Sequence, residues 1–94
     1  MAQLSQVASD FNRNGLDFLK VEVQTGLTFA GIALGEEPGS AQRERNRLNA
    51  RKAYDTVLGL RPRFEVPQDT AGRKIDEGLQ RLRSALERLG EDFA

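Results

Sequence analysis

Cysteine and histidine are both missing from the 94 residues. Without cysteine there can be no disulfide, iron–sulfur cluster, thiolate zinc site or cysteine nucleophile. Without histidine the chain lacks the usual general base at neutral pH and the commonest metal ligand. Together the two gaps weigh against catalysis, and no metal or cofactor is expected. Net charge is missing as well. Fourteen Lys and Arg offset fourteen Asp and Glu, so the chain as a whole has no bias toward nucleic acid or an anionic membrane. Nor is there a long apolar run. Leu27 to Leu34 is the longest candidate, far short of the roughly 18 residues of a membrane span, and no membrane partner is expected. The opening MAQLSQVASDF has neither a basic region nor an apolar core, so it does not read as a secretory signal. A cytoplasmic location is the default expectation.

What is present reads as one small helical domain. Hydrophobic residues make up 38% of the chain and charged residues 30%, too apolar for disorder and ordinary for a soluble α-protein. The length suits a single core of modest size. One stretch organises the rest, Leu16 to Leu34 (LDFLKVEVQTGLTFAGIAL). Leu16, Leu19, Val23, Leu27, Ala30 and Leu34 recur at helical spacing, and a second row of Phe18, Gly26, Phe29 and Ala33 runs beside them. The apolar arc covers about half the circumference. A helix of this kind is expected to be covered on more than one face. Glu22 is the one carboxylate inside the arc.

Taken in order, residues 1–9 read as a frayed helical extension or a disordered arm. Ser9 or Asp10 can cap a first helix over about 10–34. Phe11 lies one heptad before Phe18, which favours continuity, and Asn14-Gly15 is a weak point costing about 1 kcal/mol relative to alanine. Gly35 to Ser40 is a loop, with Gly35 as a left-handed C-cap and Ser40 as the N-cap of a second helix over about 41–60. Short connections imply antiparallel neighbours. If the loop sets the register, residues whose numbers sum to about 76 should face each other, placing Gly26 on Ala50 and Glu22 near Tyr54. The segment 61–68 is pinned by Pro62 and Pro67, with Phe64 and Val66 turned inward. Asp69 or Thr70 then caps a third helix over about 70–90, with Gly90 as a natural C-cap. Its stripe is Ala71, Ile75, Leu79, Leu82, Leu86, Leu89 and Phe93, the pattern of antiparallel bundle packing. The expected fold is all-α: an up-down-up antiparallel three-helix bundle over 10–94.

Ala50, Tyr54, Val57 and Pro62 form a half-motif on the second helix: small residue, aromatic four later, small residue three later, proline five later. This resembles the second helix of a tetratricopeptide repeat. Val57 stands where that family has alanine, and Gly26 lies twice as far from Ala50 as the repeat's glycine would. A hairpin of longer helices plus a third helix is also similar to microtubule-interacting-and-trafficking domains. Either resemblance implies binding of a peptide or protein in a groove between helices.

Three sets of residues are candidate sites. Burying Glu22 unpaired would cost several kcal/mol, so a buried polar network with Tyr54, Asn46 and Arg47 is expected, structural rather than catalytic because no second catalytic group is evident. A row off the main stripe, Val21, Thr25, Thr28 and Ile32, is a candidate partner surface, small or β-branched at helical spacing. Third, the segment 40–63 carries seven basic residues against two acids, and Arg45, Arg51 and Lys52 form a possible basic surface. Segregated charge of this kind can bind phosphate backbones, yet no aromatics for base stacking lie nearby and the charges do not share one stripe. The functional expectation is a non-catalytic protein–protein interaction module, with an unidentified protein or peptide or a second copy as partner. A nucleic-acid-associated protein using the second helix is the alternative, and an enzyme with a carboxylate site at Glu22 comes last.

Overall fold

The computed structural model describes residues 2–93, with side chains from residue 6 onward. Three helices follow in order: α1 (Ala2–Leu34), α2 (Ala41–Leu60) and α3 (Thr70–Arg88), with a 3-10 turn over Arg61–Arg63. They pack as the expected up-down-up bundle. The core is built from Leu19, Val23 and Ala30 of α1, Ala50, Tyr54 and Val57 of α2, and Ile75, Leu79, Leu82 and Leu86 of α3. α1 belongs to both of its neighbours and carries most of the packing, whereas α2 and α3 touch each other sparingly.

Small residues set how closely the helices approach. A Cβ on Gly26 would stand 2.6 Å from a Leu82 methyl and 3.0 Å from the Ala53 Cβ. Gly26 therefore faces Ala53 on α2, not Ala50, and the hairpin register centres on residue numbers that sum to about 79. The shift has a visible cause. Arg43 reaches back to donate to the carbonyls of Ala33 (3.2 Å) and Glu36 (2.9 Å), while Asn46 donates to the Glu36 carboxylate at 2.7 Å. These contacts seat α2 against the end of α1 before the loop length can. Along α3, Gly78 lies against Val23 as Leu82 lies against Gly26. The constant offset shows that α1 and α3 run parallel.

The element boundaries carry two corrections. First, α1 begins at Ala2, not near residue 10, and passes through Asn14-Gly15 without a break, so of the two readings of 1–9 the helical extension holds from residue 2 on. Side-chain pairs one turn apart support it: Gln6 donates to Asp10 (3.3 Å), and Arg13 pairs with Asp10 at 2.6 Å. Second, Gly35 is not left-handed. The last turn of α1 tightens into i→i+3 bonds, Gly35 N–H to Ile32 and Glu36 N–H to Ala33, and the Arg43 guanidinium adds a side-chain cap on the carbonyls of Ala33 and Glu36. Among the described residues, positive φ falls at Gly39 (83°) and Gly90 (101°). At the other end α3 closes as expected near 90, its last helical residue being Arg88 and its cap Leu89-Gly90. Gly90 N–H donates to Glu87 and Glu91 N–H to Leu86, the paired bonds of a Schellman end.

The expected N-caps of α2 and α3 form, whereas Ser9 and Asp10, expected to cap the first helix, lie inside α1. Ser40 Oγ accepts from Arg43 N–H at 3.1 Å, and Asp69 Oδ1 accepts from the N–H groups of Ala71 (3.0 Å) and Gly72 (3.2 Å). The segment 61–68 lies against α1. Asn12 makes two bonds to the backbone of Glu65, accepting from its N–H at 2.7 Å and donating to its carbonyl at 3.1 Å.

Candidate interaction surface

The helix that builds the core also presents a second apolar face to solvent. Val7, Phe11, Phe18, Val21 and Ile32 are between 44% and 64% exposed, although large apolar side chains on a 94-residue domain are in short supply for the interior. At 100° per residue these five lie on the side of α1 turned away from Leu19, Val23 and Ala30. Thr28 is exposed on the same face, its hydroxyl turned back to the Gln24 carbonyl at 3.0 Å, and Thr25 is half-buried. The structure thus gathers the expected row Val21, Thr25, Thr28 and Ile32 on one face and lengthens it toward the N-terminus. Phe18, expected in the core beside Gly26, belongs to this outer face instead. The heptad step from Phe11 to Phe18 was the sequence signal for that extension.

At its N-terminal end the face broadens into an open depression of about 730 Å³, whose lining includes Val7, Phe11, Leu16 and Arg63. Beside Phe11, Gly15 leaves room for a second aromatic ring. The Phe64 ring lies where a Cβ on that residue would stand, and it meets Phe11 with ring centroids 5.4 Å apart. Gly15 is therefore a seat for an aromatic ring rather than a weak point in the helix.

The expected buried network of Glu22, Tyr54, Asn46 and Arg47 is not assembled. Glu22 is only half-buried and forms no hydrogen bond or ion pair with any described residue; access to water removes the need for a partner. Asn46 turns to Glu36. Tyr54 is buried by its ring, edge-on to Phe93 at 5.2 Å. Arg47 bonds Glu44, one turn before it, and Glu91, beyond the end of α3. The Arg47 hydrogen bond, helped by its charge, holds the Glu44 carboxyl below its ordinary range and raises Arg47 in turn.

Glu91 is the member that sequence reasoning missed, and Phe93, expected only as the last residue of the α3 stripe, is the second. Glu91 spans two arginines of α2, bonding Arg47 with one oxygen and Arg51 with the other at 2.8 Å. The Phe93 ring lies under two guanidinium groups, Arg51 at 4.6 Å and Arg83 at 5.0 Å from its centroid. Gly90 followed at once by an acid, opposite two arginines spaced one turn apart, was the available signal. The left-handed turn at Gly90 aims the following residues back at α2.

This arrangement dismantles the basic surface. Arg51 pairs with Asp55 at 3.0 Å as well as with Glu91, Arg61 makes a bidentate pair with Asp76, and Arg43 caps α1. Of the three residues expected to form the surface, only Arg45 and Lys52 stay exposed without an ion pair among the described residues. Two acids from the flanking segment, Glu91 and Asp76, take up part of the positive excess of residues 40–63.

Among the described residues no group of acids could hold a metal ion, and no helix is long and apolar enough to cross a membrane. Ala50, Tyr54 and Val57 of the repeat-like half-motif are buried against α1 and α3, so its spacing is that of a packing face. No family model matches the chain, and no curated protein or solved structure matches it either.

Proposed function

We propose that the protein is a non-catalytic helical interaction module that docks another polypeptide on the outer face of α1. The observation that carries this reading is the row of five large, exposed apolar side chains on a helix whose opposite face is already the core. A contiguous apolar strip of this size on a small domain marks a recognition surface more often than chance exposure. Glu22, the one candidate for acid–base chemistry, stands alone and half-solvated, which favours binding over catalysis.

The test is a photo-crosslinking side chain placed at Val21, compared with the same group at Gln80, an exposed polar position on α3. Irradiation of cells expressing each variant should give discrete protein adducts from position 21 and none from position 80. Equal labelling at both positions, or none at position 21, would overturn the proposal.

A further inference from the structure

Resting on that reading, we infer that the occupant of the outer face is a second copy of this chain, its α1 laid antiparallel along the first. The residues of the face are Val7, Phe11, Asn14, Phe18, Val21, Thr25, Thr28 and Ile32. They step by alternating fours and threes, so that each seam position recurs every seven residues, over nearly four heptads. This is the seam of a two-stranded coiled coil. α1 is long enough to present it: 33 residues make about 50 Å of helix, close to the full 57 Å length of the molecule.

The seam is complementary to itself in one register. With paired numbers summing to about 39, Val7 meets the partner's Ile32, Phe11 meets the partner's Thr28, Asn14 meets the partner's Thr25, and Phe18 meets the partner's Val21. The two-fold axis then repeats every pair. Each ring faces a β-branched residue, and the one amide faces a hydroxyl, so no layer sets two rings together or strands a polar group. Sliding one heptad either way sets Phe18 against the partner's Asn14 or leaves Val7 and Phe11 without a partner residue. The flanking positions agree with the same choice. Antiparallel pairing sets Asp17 beside the partner's Gln24 and turns Glu22 toward the Phe64 ring that covers the partner's Gly15, with no like charges opposed. A parallel pair would stack Phe11 and Phe18 on themselves and bring Asp17 to the partner's Glu22.

The area is sufficient. Val7, Phe11, Phe18, Val21 and Ile32 leave on the order of 500 Å² of side chain uncovered in each copy, so pairing two removes about 1,000 Å², where specific interfaces begin.

The absence of cysteine makes the register directly testable. Purified protein should sediment at twice 10.4 kDa, and Val21→Lys, at an exposed position, should weaken association at least about tenfold with the helical signal unchanged. Asn14→Cys and Thr25→Cys, oxidised separately, should stay at monomer size on a denaturing gel, while their mixture should give a dimer band. Efficient linking of either variant alone would overturn the antiparallel register. A monomeric protein whose position-21 crosslinker captures only a polypeptide of another mass would overturn the second copy and leave the proposed function standing. Absence of any adduct at position 21 would remove both.

Discussion

The Phe64 ring fills the space that a side chain on Gly15 would need. The two residues are 49 apart in sequence, and their contact ties the segment after α2 to the middle of α1. Helix propensity and packing make opposite demands here. Alanine at residue 15 should favour the isolated helix by about 1 kcal/mol, but it must displace a ring that Phe11 already holds from the other side.

Gly15→Ala should therefore destabilise the protein, by about 1–2 kcal/mol, because overpacking of this kind costs about 1–3 kcal/mol. Urea midpoints measure it. Combined with Phe64→Ala, the alanine at residue 15 should become neutral or favourable, since the obstruction is gone. A stabilising single substitution would mean that the ring moves aside freely.

How much of this was legible in the chain follows from the range of the physics involved. Ser40, Asp69 and Gly90 act on backbone groups within three or four residues, so their caps could be read directly. The α3 stripe could be read because seven apolar residues keep one period. Glu22 misled because its place in an apolar arc says nothing of how close α2 lies, and half-burial suffices to keep it hydrated. The hairpin register depended on Arg43 reaching carbonyls of α1, a side-chain decision that loop length does not encode. Glu91 with Arg47 and Arg51, and Gly15 with Phe64, are long-range pairs whose partners carry no mark of each other.

Glu22→Leu should leave the isolated fold nearly unchanged in stability, within about 1 kcal/mol, because no partner is orphaned and the site keeps contact with water. Thermal unfolding at a concentration low enough to keep the chain monomeric measures this. A loss of several kcal/mol would reveal a buried role.

Glu91→Gln should cost about 1–3 kcal/mol. It keeps the shape of the side chain while leaving two half-buried guanidinium groups without their shared carboxylate. Denaturant unfolding at low and high salt is the measurement: the difference from the parent should shrink as salt rises. An unchanged midpoint at low salt would show that water replaces the carboxylate without loss.

The Arg47–Glu44 contact sets a pH signature. Because Glu44 is depressed in the folded state, its contribution is present above the ordinary carboxylate range and is lost as pH falls through the lowered folded value. The group is exposed, so the effect on stability is small. The direct reading is the side-chain carboxyl resonance of Glu44, which should titrate below the ordinary carboxylate range and return to it in Arg47→Gln.

The sparse contact between α2 and α3 has a kinetic consequence. The α1–α2 hairpin closes a short loop and can form early, whereas the tail at Glu91 and Phe93 reaches Arg47 and Arg51 only after α3 has docked on α1. Tail contacts made that late are absent from the transition state. Loosening them should hasten unfolding and leave the refolding rate alone, so the last turn of the chain governs how long the folded molecule survives rather than how quickly it is made.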